Sequence, residues 1–470
     1  MADTYDAVVV GSGPNGLAAG IRLAQAGCSV LLIEGNETIG GGARTAELTL
    51  PGFLHDTCSA IHPLASGSPF FQTLPLAKYG LEWIQPEFPL AHPLDDGRPI
   101  VLRRNLAAAS RDWRALFQPL LDHWQSLAGD FLAPMLRFPK HPLLMARFGY
   151  HALRSAERLV RGWTEHDRAL FGGLAAHSFL PLDKIPSAAF GMVLGLMAHA
   201  VGWPMPRGGS QQISNALAAH FRSLGGVIQT NAPVKNLDQL PRARVYLLDV
   251  TPRQFIEIAG AKMPPKYKHK LSRYRYGPGV FKVDYALSSP IPWRSAECAS
   301  AGTIHLGGTF DEIARAERQT WEGKLAERPF VLLAQQSLFD ATRAPTGKHV
   351  AWAYCHVPHG STEDGSALIE GQIERFAPGF RDCILARAAR NCAEIERANP
   401  NCVGGDVNGG AATLRQLVAR PVFSPNPYRT PIPGVFLCSA SAPPGGGVHG
   451  MCGLHAADAA LREIGRVRAL

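Results

Sequence analysis

The feature that most constrains this chain is a short apolar run, Ala7-Val8-Val9-Val10, that leads straight into Gly11-Ser-Gly13-Pro14-Asn15-Gly16. Four consecutive apolar residues without alternation suit a strand buried on both faces, as in a parallel sheet covered by helices. Leu17, Ile21 and Ala24 follow at helical spacing, Gly27 ends that helix, and residues 29–33 form a second strand running into Glu34. The glycines have separate tasks. Gly11 allows the tight turn, Gly13 lets a pyrophosphate approach the backbone, and Gly16 lets helix and strand pack closely. The helix N-terminus offers unpaired N–H groups and partial positive charge to phosphate. Glu34 stands 18 residues beyond Gly16, where its carboxylate can accept from a ribose diol. The unit predicts a dinucleotide site in an α/β fold.

Two further glycine clusters refine the expectation. Gly40-Gly41-Gly42-Ala43-Arg44-Thr45, just past the ribose carboxylate, resembles the extended FAD fingerprint of glutathione-reductase-type flavoproteins. A long dinucleotide needs a second close backbone approach, with an arginine for phosphate or flavin oxygens. Near the other end, residues 435–438 read as a buried strand. They run through Ser439 and Gly445-Gly446-Gly447-Val448-His449-Gly450 into a helix that starts at Met451 and carries Leu454, Ala457 and Leu461. Strand, glycine loop and helix N-terminus again suit an anion, and in the resembled flavoproteins this element caps the flavin ring. Between them, a helix with Ile213, Leu217 and Phe221 precedes a strand at 227–230 and Val234, the element that by the same resemblance touches adenine.

These blocks together resemble the phytoene-desaturase-related FAD oxidoreductases. The stretches 276–285, 351–359, 377–381 and 450–453 narrow the resemblance to the branch typified by pyridine nucleotide-disulphide oxidoreductase domain-containing protein 2. The fold implied is α/β, α+β overall: a Rossmann-like FAD-binding domain of glutathione-reductase type with an inserted mixed-sheet substrate domain and a helical cap. The FAD-binding domain is expected from residues 1–70, 203–290 and 415–470, and the substrate and cap domain from 71–202 and 291–414. The activity implied is FAD-dependent desaturation, saturation or isomerisation of a C–C or C=C bond in a lipophilic, isoprenoid-like or fatty substrate. No second nucleotide unit follows the first, so oxygen or a quinone is the expected electron acceptor. His62, Arg207 and His449 are the candidate catalytic residues. A flavin amine oxidase and a catalytically weak FAD-bearing regulatory protein remain the alternatives.

Composition limits the remaining readings. Hydrophobic residues at 46% and charged ones at 18% fit packed domains and exclude wholesale disorder. Nine dispersed cysteines form no CxxC pair, which argues against a zinc ribbon or a dithiol centre; His356 and His359 lack the carboxylate context of a metal site. The first six residues carry two acids and no base, so no targeting segment is expected and the cytoplasm is the default. Residues 101–170 hold 11 basic and 6 acidic side chains, five of the chain's nine net charges, with interleaved aromatics. That segment suits a helical cap and permits peripheral contact with anionic lipid. The uncharged stretch 185–206 is too short and too broken by Gly and Pro to span a membrane and is expected to wall an apolar cavity. The basic run 262–275 is expected to be a solvated surface rather than a nucleic-acid site.

Overall fold

The computed structural model describes residues 5–97, 99–135 and 137–465. Its first layer is a five-stranded parallel sheet. The strand Tyr5–Val10 lies at the centre, flanked by Val30–Ile33 and then Val227–Gln229 on one side, and by Ala243–Leu248 and then Val435–Leu437 on the other. The apolar run at 7–10 is buried as its composition requires. The helices Pro14–Gln25, Gln211–Ser223 and Met451–Glu463 cover the sheet and share one core with it. Three distant stretches of sequence thus build a single layer.

Close backbone approach holds this layer together. A Cβ on Gly16 would overlap the Gly11 carbonyl oxygen, and one on Gly453 would overlap that of Asn15. The first lets the helix Pro14–Gln25 start directly against its strand; the second lets the last helix of the chain press on the first.

The second layer is a seven-stranded mixed sheet, ordered Ile384–Arg390, Gly279–Leu287, His349–Val357, Val331–Ala334, Ala301–Leu306, Phe88–Pro93, Pro99–Leu102. Its pairs are antiparallel except for the parallel contact between Phe88–Pro93 and Ala301–Leu306. The strand Gly279–Leu287 is buried throughout and pairs on both edges in this sheet. The chain therefore passes to the second layer before residue 279 rather than at the expected 290. Helices between residues 111 and 200 pack over this sheet around Trp113, Phe117 and Phe171. Among the described residues, no helix is long and apolar enough to cross a membrane.

Ion pairs buried between the layers are a feature the sequence did not announce. Asp56 accepts from Arg343 Nη2 at 2.8 Å, from Thr45 Oγ1 at 2.8 Å and from the Ser210 N–H at 2.8 Å. Burial alone would raise its carboxyl. The Arg343 guanidinium and these hydrogen bonds hold it below the ordinary range instead. Behind it, Lys282 pairs with Asp284, with His55 and Arg390 close by.

Candidate functional site

A cavity of about 1350 Å³ runs between the two layers. Pockets for drug-sized ligands measure roughly 300–1,000 Å³, and this space is larger. At the parallel-sheet end it is lined by Gly11, Gly13, Pro14, Asn15 and Glu34 from the opening unit, by Val234, and by Asp249 at the end of the strand Ala243–Leu248. The middle is lined by Gly41, Gly42, Arg44, Cys58 and His62, and from the far end of the chain by Ser439, Gly446, Gly447, Val448 and His449. The three stretches predicted to converge do share one cavity.

Glu34 lines the cavity with both carboxylate oxygens engaged by the protein. Its Oε2 accepts from the Ser12 N–H at 2.9 Å, and its Oε1 from the Asn36 N–H at 2.9 Å. Asn15 Oδ1 is buried here without a partner in the protein, a polar atom suited to a ligand donor. The glycine turn, the partial positive charge at the helix start and this acceptor fit a dinucleotide. Gly16, Gly40, Ala43, Thr45, Gly450 and Met451 support the site from behind the lining. Thr45 hydrogen-bonds Asp56, the Ala43 carbonyl accepts from Ser214, and Gly450, in the left-handed region at φ 70°, opens the last helix at Met451.

The candidate catalytic residues fare differently. His449 lines the cavity, yet both ring nitrogens are engaged: Nδ1 accepts from the Met451 N–H at 3.0 Å and Nε2 faces the Gly445 carbonyl at 3.2 Å. Burial pushes it down to about 4, so it is a neutral clamp on the glycine loop. His62 Nε2 lies 2.8 Å from Ser210 Oγ, which donates to the Ser59 carbonyl; burial takes this ring to about 4 as well. Arg207 does not reach the cavity. It lies on the surface, 2.8 Å from Glu82 Oε2, because the turn at Gly208 and Gly209 directs it outward.

Several residues of the site carry no sequence motif. Asp249 accepts from the Gly16 N–H at 3.1 Å, and burial, reinforced by nearby Glu34, pushes its carboxyl up to about 7. Cys58 is the one half-buried thiol of the nine; the other eight are buried. A hydrogen bond with Cys402 and the charges of Lys282, Arg390 and Arg44 lower it below an ordinary thiol. At the second layer the lining turns apolar. The helix Ser187–Ala200 presents Ala189, Phe190, Val193 and Leu194, opposite Phe131, Met145 and Phe148. The floor there is Thr303, Leu332, Trp352 and Tyr354. Among the described residues no cluster of three or more metal-type ligands occurs; His356 instead pairs with Glu317, and His359 with the Gly277 carbonyl.

Residues 9–74 match the family described as NAD(P)-binding Rossmann-like domain. The chain is 25% identical to pyridine nucleotide-disulfide oxidoreductase domain-containing protein 2 of Rattus norvegicus, across 98% of this chain and 94% of that one. It is also 25% identical to phytoene dehydrogenase of Streptomyces griseus, across 82% and 78%. It is similar to these proteins over most of its length. A crystal structure of an oxidoreductase from Methanosarcina mazei superposes with a TM-score of 0.66 at 16% identity, covering 98% of this chain and all of that one. The fold is accordingly that of FAD-type oxidoreductases, with a Rossmann-like dinucleotide-binding layer joined to a mixed-sheet layer, and the resemblance seen in the motifs extends along the chain.

Proposed function

We propose that the chain is an FAD-dependent oxidoreductase that desaturates, saturates or isomerises a carbon–carbon bond of a lipophilic substrate. The observation that supports this is the continuity of one cavity from the glycine turn to the apolar walls of the second layer. FAD held there would supply two-electron chemistry at its ring, taking or returning a hydride. Gly11, Gly13 and Asn15 would hold its pyrophosphate, Glu34 its ribose and Val234 its adenine. Gly41, Gly42 and Arg44 would lie along its middle, and Ser439, Gly446, Gly447 and Val448 beside the ring. His449 keeps the last loop in place, and the apolar side chains of the second layer exclude water.

An amine oxidase would present two aromatic faces to its substrate. Trp352 and Tyr354 meet instead edge to face, at 86° and 5.0 Å between centroids. The cavity mouth adds a partner to the proposal. Met135 and Leu153 line the cavity yet are about half exposed, and Phe138, Leu143 and Tyr150, between them in sequence, and Ile185, next to the lining residue Pro186, are exposed as well. With exposed Arg137, Lys140 and Arg147 among them, this rim suits an anionic lipid surface from which a lipophile would enter. Flotation with phosphatidylserine vesicles should carry the protein, and the double variant Phe138→Asp, Leu143→Asp should stay behind.

The decisive experiment is reconstitution with FAD, followed by anaerobic titration with a lipid extract. A yellow protein whose flavin band bleaches, with a product altered at a carbon–carbon bond, is the expected result. A protein that stays colourless with excess FAD would overturn the reading.

A further inference from the structure

The cavity wall carries two thiols that the flavoprotein reading does not use. Among the described residues, Cys58 and Cys402 are the two cysteines that line the cavity. Both also border an adjoining recess of about 20 Å³, together with Gly42, Arg44 and Arg390. A single water needs roughly 10–15 Å³, so the recess takes a molecule of about that size. Backbone bonds fix where the thiols stand. The Thr57 N–H donates to the Arg44 carbonyl at 2.9 Å and the Ser59 N–H to the Gly42 carbonyl at 3.2 Å, which holds Cys58 from both sides against the glycine cluster. Arg44 Nη2 donates to the Ala398 carbonyl at 3.0 Å, and the Cys402 N–H closes a turn on the Asn399 carbonyl at 2.8 Å. One arginine thus ties both segments together, and the two thiols hydrogen-bond each other. Cys392, in the neighbouring segment, is buried against the Val280 and Pro358 carbonyls instead.

The surrounding charges set the two thiols apart. Lys282, Arg390 and Arg44 act on Cys58, while Asp284 pairs with Lys282 and lies 3.7 Å from Arg390. Asp56 is already taken by Arg343. Three cations facing one free carboxylate favour a further anion, and the Cys58 thiolate is an anion built into the site. The Cys402 hydrogen bond and these cations bring the Cys58 thiol down to about 7, against the cost of burial. Cys402 is pushed the other way by its bond to Cys58, by burial and by Asp406, and it keeps its proton. Such asymmetry separates an attacking thiol from a resolving one.

We propose that Cys58 and Cys402 are a peroxide-oxidised thiol pair that closes reversibly to a disulfide in the cavity wall. The Cys58 thiolate attacks one oxygen of hydrogen peroxide; an S–O bond forms, the O–O bond breaks, and the departing hydroxide takes a proton from water. The Cys402 sulfur then displaces the hydroxyl of the Cys58 sulfenic acid, and its proton leaves with that hydroxyl as water. The two thiols lose two electrons and one peroxide becomes two waters. The bond joins the segment beside the glycine cluster to the turn at 399–402 and shields Cys58 from irreversible oxidation. The proposal goes beyond the flavoprotein reading and does not depend on it, because peroxide is the co-reactant.

Full-length protein, freed of reductant and treated with hydrogen peroxide at about pH 7, tests it. Remaining thiols are blocked with iodoacetamide in denaturant and the peptides mapped by mass. Wild type should give a cross-link of Cys58 to Cys402, forming about tenfold faster than any other cysteine is oxidised, and dithiothreitol should restore both thiols. Cys402→Ser should stop at the Cys58 sulfenic acid, trapped by dimedone, and should pass to sulfinic acid in excess peroxide. Cys58→Ser should leave Cys402 reduced. Oxidation of another cysteine first would overturn the proposal, as would Cys58 sulfenic acid accumulating in wild type beside a free Cys402. If Cys402→Ser does not fold, the wild-type map and Cys58→Ser decide. A protein that takes up no flavin yet forms the cross-link refutes the flavoprotein reading alone; one that binds flavin and forms no cross-link refutes this proposal alone.

Discussion

The two layers of the molecule solve the problem of a ligand site in opposite ways. The parallel layer does it with backbone. Its glycines remove side chains so that strand, helix and ligand can approach, and its recognition groups are N–H donors and one fixed carboxylate, Glu34. The mixed layer does it with side chains, an apolar helix face over a floor that combines Thr303, Trp352 and Tyr354 with buried ion pairs. A site made of backbone tolerates almost no added volume. One made of side chains tolerates changes of shape but not the loss of a charge partner.

The largest expected effect breaks the first arrangement. Gly16→Ala places a methyl group into the Gly11 carbonyl, and neither backbone segment can yield without shifting the turn. Loss of about 4 kcal/mol or more is expected by urea unfolding, together with loss of dinucleotide binding. The corresponding break in the second arrangement is Arg343→Met, which leaves Asp56 buried and unpaired. It should cost about 3–5 kcal/mol. Because Asp56 is held below its unfolded value, the stability it contributes is present above about pH 4 and is lost as pH falls further. Acid titration of unfolding should therefore show the gap between wild type and variant closing toward low pH. The double variant Asp56→Asn, Arg343→Met should recover part of the loss; strict additivity of the two changes would refute the pairing.

This contrast also explains how much could be read from the residues alone. The opening turn, Glu34, the second glycine cluster and the last glycine loop are local patterns in which neighbours in sequence perform one task, so their spacing is informative. The same is true of 185–206, whose lack of charge anticipates the wall it forms. Thr303 and Trp352 share one face of the sheet only through strand register, and Asp56 and Arg343 meet through packing of distant segments. Cys58 and Cys402 lie more than three hundred residues apart, so a search for CxxC spacing could not find them. Arg207 shows the reverse error: an arginine beside two glycines resembles a ligand contact, but the same turn sends it to Glu82 at the surface.

Asp249 sharpens the comparison because it is a side chain placed inside the backbone-built site. With its carboxyl raised to about 7 by burial and Glu34, it contributes stability below about pH 4 that is lost as pH rises through 7. Asp249→Asn keeps an acceptor for the Gly16 N–H without the charge. The variant should gain on wild type as pH rises, by a few kcal/mol at about pH 8, with about 4 as a ceiling. Dinucleotide binding should follow the same course, weakening above pH 7 in wild type and remaining level in the variant. Melting temperatures and binding isotherms across pH 5–9 would show it, and parallel wild-type and variant curves would rule it out.

The smallest expected effect concerns reaction rate rather than stability, and it falls where the two layers meet. Cys58 stands between the glycine cluster at 40–42 and the buried Lys282, is half-buried where the other eight thiols are buried, and lines the cavity. A hydrogen bond with Cys402 and three nearby cations favour its thiolate, the form that attacks an alkylating reagent. Iodoacetamide at about pH 7 should therefore modify Cys58 before any other cysteine, as read by peptide mass mapping. Cys402→Ala removes the first of those influences and should slow the reaction about tenfold, whereas Cys298→Ala, in the core of the mixed layer, should leave it unchanged. Because the thiol opens onto the shared cavity, a bound dinucleotide or lipophile should protect it in proportion to occupancy. Protection by the dinucleotide alone would place Cys58 with the backbone-built half, protection by the lipophile alone with the side-chain-built half, and protection by both at the seam that its position between Gly42 and Lys282 implies.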